Sequence, residues 1–269
     1  VSATPAQEVE KKAILVVSFG TSHENTRAVT IDAIESEIAS AFPGFAIYRA
    51  WTSGMIIRKI LKRDHVKIFT VIEAMEQMLA DGITDVIIQP THVINGIEND
   101  LMKEHALSFR DAFRSIRFGT PLLTSEADNR AVIAAVTETF SSLSPKDALV
   151  LMGHGTTHYS NAIYAALDYQ FKEMGYPNIF VGTVEAYPDM DTLLRLVDQT
   201  HPEQIYLAPF MIVAGDHAVN DMAGEDEDSW QSQFQSLGYP VTCILKGLGE
   251  YEAIRKIFLQ HIEDALAEA

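Results

Sequence analysis

The feature that most restricts the fold is that the chain is written twice. An apolar run ends in a Gly-Thr turn at "AILVVSFGTSH", residues 13–23, and again at "ALVLMGHGTTH", residues 148–158. Superposing them sets Phe19 on His154, and Gly20, Thr21 and His23 on Gly155, Thr156 and His158, all 135 positions apart. A second pair, "FAIYRAW" and "IFVGTVE", aligns at a spacing of 134 and sets Trp51 opposite Glu185. A third, "DVIIQPTHVINGIE" and "QIYLAPFMIVAGDH", aligns at 119, with Pro90 on Pro209, Gly96 on Gly215 and Glu98 on His217.

With "IRFGTPLL" and "PVTCILKGL" these make eight apolar runs, each too short for a helix and rich in β-branched and aromatic residues. The segments between them have helical spacing. In "TVIEAMEQMLADG", Ile72, Met75, Met78 and Leu79 fall on one face. Strands alternating with helices imply parallel sheets covered on both faces. The predicted fold is α/β: two similar lobes, each a parallel four-stranded sheet flanked by helices. The lobes are predicted at 12–140 and 141–269, joined through the Ser- and Pro-containing "TFSSLSPKD", residues 139–147.

Composition removes several functions. A net charge of −17 is the opposite of a nucleic-acid footprint. No apolar run approaches the length of a membrane span. The single cysteine, Cys243, excludes an internal disulfide and a cysteine metal cluster, and within "PVTCILKG" it reads as a core residue. Residues 1–11, beginning "VSATPAQEVE", read as a disordered lead-in. Taken as the remainder of a removed export signal, they make the periplasm the expected compartment, with the cytoplasm as the alternative.

Ligands of open α/β sheets bind beyond the carboxyl ends of the strands. His154, Glu185 and His217 fall at three such ends in the second repeat, where the first has Phe19, Trp51 and Glu98. Two imidazoles and a carboxylate suit a first-row divalent ion, and three protein ligands leave positions open for exchange. Singly, a histidine at a strand end reads as a hydrogen-bonded structural residue, and Glu185 reads as the first carboxylate of a helix in "EAYPDMDTLLRLV". Their coincidence on one lobe points to a metal. The acidic run after His217, "AVNDMAGEDEDSW", reads either as a solvated helix start or as an electrostatic funnel for cations. The two Gly-Thr turns read as helix starts whose free backbone N–H groups bind anions, or simply as hydroxyl caps.

The segments "VVSFGTSHENTR", "IIQPTHVINGIE", "LMGHGTTH", "VEAYP" and "LAPFMIVAGDHAVNDMAG" carry a family resemblance. From about residue 12 onwards the chain resembles the anaerobic sirohydrochlorin cobaltochelatases of the CbiK type, class II chelatases similar in fold to ferrochelatase. The resemblance implies a tetrapyrrole cleft between the lobes. It also implies ATP-independent insertion of Co²⁺ into sirohydrochlorin, a lyase reaction forming nitrogen–metal bonds, with Fe²⁺ or Ni²⁺ as other metals of the group. The family's metal and catalytic residues fall on His154, Glu185 and His217, with His154 the expected acceptor of a pyrrole proton.

The macrocycle is flat and apolar with a polycarboxylate rim. Phe19, Trp51 and Met211 are expected as packing surfaces, and Ser18, Gly20, Thr21, Gly155 and Thr156 as contacts from the turns. Arg27, Arg49 and Arg58 are candidate cations for the rim. His92 is expected either as a substrate contact or proton relay, or as a core histidine bonded to backbone. The expected partners are the tetrapyrrole, a divalent metal and further copies of the chain, with haem as an additional ligand through a surface histidine such as His105. A non-catalytic carrier of tetrapyrrole, haem or metal is the competing reading, and a zinc hydrolase ranks behind both.

Overall fold

The computed structural model describes residues 9–216 and 218–268. Its first half runs β1 (Lys12–Ser18), α1 (Glu24–Val29), α2 (Ile31–Ala41), β2 (Ala46–Trp51), α3 (Gly54–Asp64), α4 (Val71–Ala80), β3 (Asp85–Pro90), α5 (Ile97–Leu107), β4 (Ser115–Phe118) and α6 (Glu126–Thr139). Its second half runs β5 (Ala148–Gly153), α7 (Ala162–Glu173), β6 (Ile179–Thr183), α8 (Met190–Asp198), β7 (Ile205–Pro209), α9 (Trp230–Ser236), β8 (Val241–Cys243) and α10 (Glu252–Ala267). The strands form two all-parallel four-stranded sheets, ordered β2-β1-β3-β4 and β6-β5-β7-β8. The expected α/β class with two like sheets is therefore what the chain adopts.

The period-2 geometry of a strand explains the unbroken apolar runs. Along β1, Ile14 and Val16 enter one core while Ala13, Leu15 and Val17 enter another on the opposite face. The Ile14 and Val16 core is shared between the sheets, because Leu149, Leu151 and Val181 of the second sheet belong to it too. Removing a fully buried ring from it, such as Phe258, carries the usual large-to-small cost of about 3–5 kcal/mol.

Three details differ from the expectations. The buried face of α4 is Val71, Ala74, Met75 and Met78, while Ile72 lies exposed. The i, i+3, i+4, i+7 set starts one residue earlier, where the Thr70–Glu73 capping box begins the helix. Residues 1–8 of the expected lead-in lie outside the described residues, but Glu10 and Lys11 are fastened. Glu10 pairs with Arg114 at 3.0 Å, and Thr84 N donates to Lys11 O at 2.8 Å.

The third difference concerns the lobe boundary. Helix α10 packs on β3, β4 and α2 of the first half. Arg255 pairs with Glu37 of α2 at 2.5 Å, and His261 reaches Asp128 of α6 and Thr120 O, both at 2.7 Å. Conversely, Ala135 and Val136 of α6 line an apolar cavity with Leu151, Ala208 and Pro209 of the second sheet. Each half thus sends its last helix across to the other, and a division at residue 140 cuts through shared packing.

Candidate functional site

The central strands β1 and β5 end in matched turns. Gly20 has φ +108° and Gly155 φ +84°, conformations that glycine adopts without the steric penalty of a Cβ. Space makes the same demand. A Cβ on Gly20 would lie 2.6 Å from the Trp51 ring, and one on Gly155 would lie 2.9 Å from Ala186 N. Each turn is clamped to the loop beyond the neighbouring strand. Ser53 N donates to Phe19 O at 3.1 Å, and Glu185 N donates to His154 O at 3.0 Å. The first-lobe counterpart of Glu185 is therefore Ser53, not Trp51. In register Trp51 faces Ser18 and Thr183 faces Gly153, so Trp51 matches Thr183. A two-residue slip preserves strand alternation, which is why the apolar pattern alone could not reject it.

His154 and Glu185 meet at the carboxyl edge of the second sheet. His154 Nδ1 lies 3.6 Å from Glu185 Oε2, with the side chains 47% and 53% exposed. His154 Nδ1 is also 3.0 Å from Gly155 O; an Nδ1–H donated to that carbonyl leaves the ring's lone pair on Nε2. Glu185 sits in a folded loop. Thr183 N donates to Pro188 O at 2.7 Å, Ala186 N to Thr183 Oγ1 at 3.1 Å, and Asn161 Nδ2 to Tyr187 O at 2.8 Å. The alternative reading of Glu185 as a helix-start carboxylate is not met, because α8 begins at Met190 and Asp189 caps it. His217 lies outside the described residues. Among the described residues no three His, Cys, Asp or Glu side chains are grouped to hold a metal. The acidic run leads into α9, whose N-terminus is capped by Ser229, and Glu225–Asp228 are exposed.

The remaining candidates divide. Phe19 is half exposed at the turn, and Met211 is partly exposed beyond β7. Trp51 is fully buried with Ile31, Ile60 and Ile68, so the expected packing surface is instead the floor under Gly20. Ser18 is buried and bonded to Thr91 Oγ1 at 2.7 Å, which takes it out of the cleft. The turn hydroxyls are spent locally: Thr21 Oγ1 accepts from His23 N at 3.2 Å, and Thr156 Oγ1 from His158 N at 3.1 Å. Thr156 N itself donates to Asn161 Oδ1, and the helices open at residues 24 and 159. An anion site made of free N–H groups at the second Gly-Thr turn is accordingly not what the structure builds.

Both ring nitrogens of His92 are buried without a hydrogen bond, so the backbone-bonded alternative is not met. That burial pushes its pKa down to about 4 and keeps the imidazole neutral. Of the candidate cations, Arg49 is committed to Glu35 and Asp32, and Arg27 to Asp32. Arg58 is exposed on α3, its guanidinium folded back over Gly54. Cys243 is half buried in β8, which raises its thiol pKa.

Two pairings were not legible in the sequence, although Asp216 belongs to the acidic group around His217. Asp100, on α5, accepts from His158 Nε2 at 2.9 Å, and Asp216 accepts from His23 Nε2 at 2.9 Å. The available signal was the pairing of His23 with His158 in the two repeats. Their carboxylate partners have no such counterpart in sequence.

Comparison with known proteins identifies the family and the fold. The family model described as cobalt chelatase (CbiK) matches residues 12–267. The sirohydrochlorin cobaltochelatase of Salmonella typhimurium is 42% identical over 256 residues, covering 95% of this chain and 97% of that protein. The sirohydrochlorin cobaltochelatase CbiKC of Nitratidesulfovibrio vulgaris is 31% identical over 260 residues, covering 96% and 91%. The structure of the sirohydrochlorin chelatase SirB from Bacillus subtilis subspecies spizizenii in complex with cobalt superposes with a TM-score of 0.63 at 12% identity, covering 95% of both chains, which shows the shared fold. With a family match over nearly its whole length, this chain belongs to the cobalt chelatase (CbiK) family.

Proposed function

We propose that the protein inserts Co²⁺ into sirohydrochlorin without ATP. The observation that carries this reading is the His154–Glu185 pair, 3.6 Å apart at the carboxyl edge of the second sheet, in a chain of the cobalt chelatase family. Insertion requires two pyrrole N–H protons to leave and the metal to shed water. A neutral imidazole serves both needs near neutral pH, as ligand and as base. An Nδ1–H bond to Gly155 O orients the His154 ring and makes Nε2 its lone-pair donor. Glu185, on the Nδ1 side, balances the charge that builds when the ring takes a proton. His217 is assigned as the second imidazole ligand from its place in the "AGDHAVNDMAG" segment.

Three donors leave the metal's other positions open, so the ion can be passed to the macrocycle. Half-exposed Phe19 supplies an apolar surface for the ring system. Arg58 is assigned to a rim carboxylate, since Arg27 and Arg49 are occupied. Co²⁺ is favoured over Fe²⁺ or Ni²⁺ because the Salmonella typhimurium and Nitratidesulfovibrio vulgaris relatives are named cobaltochelatases.

The test is purified protein with sirohydrochlorin and Co²⁺, followed by absorbance. The expected result is insertion faster than the spontaneous rate, lost in His154→Ala. Tight binding of either substrate with no gain in rate would replace the enzyme with a carrier.

A further inference from the structure

We infer that two reciprocal histidine–aspartate bridges set the width of the cleft, and that His158 and Asp100 are positioning residues for metal insertion. The inference deepens the chelatase reading and rests on it.

The turn bearing His154 and the loop bearing Glu185 form one hydrogen-bonded unit. Glu185 N holds His154 O, Thr156 N holds Asn161 Oδ1, and Asn161 Nδ2 holds Tyr187 O. His158 belongs to the same unit through its own N–H to Thr156 Oγ1. Its side chain then leaves the unit. Nδ1 accepts from Ser160 N at 3.1 Å, so Nδ1 carries no proton and Nε2–H is the donor to Asp100 Oδ2 at 2.9 Å. Asp100 lies on α5, which follows the third strand of the first sheet. One tautomer-fixed bond therefore fastens the His154–Glu185 unit to the opposite lobe.

The second bridge runs the other way. His23, 135 residues before His158, has the same N–H bond to its turn threonine, Thr21. Its Nε2 reaches Asp216, in the segment after the third strand of the second sheet and next to His217. In each case a histidine from the turn after a central strand crosses to the segment after the other lobe's third strand. The His158 ring is 12% exposed while Asp100 is 62% exposed, so water reaches this bond from the carboxylate side only; the His23–Asp216 bond is open at both ends, at 51% and 71%. Bonds of this kind contribute little to global stability but hold reacting groups within the fraction of an ångström that catalysis needs.

Asp100→Ala removes the acceptor, whereas Asp100→Asn keeps one in Oδ1, and His158→Gln keeps a donor at the position of Nε2. The expected result is a fall of about tenfold in kcat for Co²⁺ insertion in Asp100→Ala, with a melting shift under about 3 °C. Asp100→Asn and His158→Gln should recover most of the rate. Wild-type rates in Asp100→Ala would overturn the inference, as would equal losses in the Ala and Asn variants. A wild-type protein that inserts no metal would instead defeat the chelatase reading. The bridges then remain testable through the distance between spin labels at Lys62→Cys and Tyr169→Cys in a Cys243→Ser background. The distribution should broaden when Asp100→Ala and His23→Ala are combined, and an unchanged distribution would overturn the inference.

Discussion

The two lobes share strand order, strand direction and the clamp that ties each central turn to its neighbouring loop, yet they hold different side chains at the matched positions. Phe19 and Ser53 stand in the first where His154 and Glu185 stand in the second. Both clamps are backbone bonds, so the turn geometry does not depend on the side chain it displays. The scaffold could therefore place chemistry on one wall and leave an apolar surface on the other. The lobes differ in polar satisfaction too. Among the described residues, the buried side-chain polar atoms without a partner all lie between Trp51 and Asn129.

This asymmetry can be attacked by installing one lobe's residue in the other. The largest effect is expected from His154→Phe, which writes the first lobe's turn into the second. Insertion should fall by at least about a hundredfold in a steady-state assay, and a fall of less than about fivefold would separate His154 from the chemistry. Next comes the joint between the lobes. His261→Leu leaves the Asp128 carboxylate buried without its imidazole and should cost about 3 kcal/mol in denaturant unfolding.

A third substitution, His92→Met, gives the first lobe the residue that its counterpart, Met211, occupies in the second. Above pH 6.5 the imidazole is neutral in folded and unfolded chains alike. Below it the unfolded chain takes up a proton that the folded one refuses until about pH 4, so stability falls as pH drops through that window. The loss approaches about 3 kcal/mol at its acid end, and His92→Met should flatten that limb of the stability–pH curve. The smallest effect is expected from Phe19→Ala. It should raise KM for sirohydrochlorin several-fold and leave kcat nearly unchanged, since uniform binding is what an apolar wall supplies.

The repeat made the fold legible. Apolar runs ending in Gly-Thr mark the two central strands, because each is covered on both faces and each turn admits only glycine at its tightest point. The pairing of His154 with Glu185 was legible for the same reason, as both sit where strands stop. The partners of His23 and His158 were not, because Asp100 and Asp216 approach them only after the lobes face each other. Trp51 misled because burial beneath a glycine leaves no mark in sequence. Arg49 could not be assigned either, since its carboxylates, Asp32 and Glu35, come from a helix earlier in the chain.

The exchange of terminal helices has a topological consequence. With α6 resting on the second sheet and α10 on the first, each half is completed by a piece encoded in the other. A protease cut within residues 140–147 should yield two fragments that migrate together as one particle under native conditions. Expressed alone, either fragment would expose the apolar seat of its missing helix.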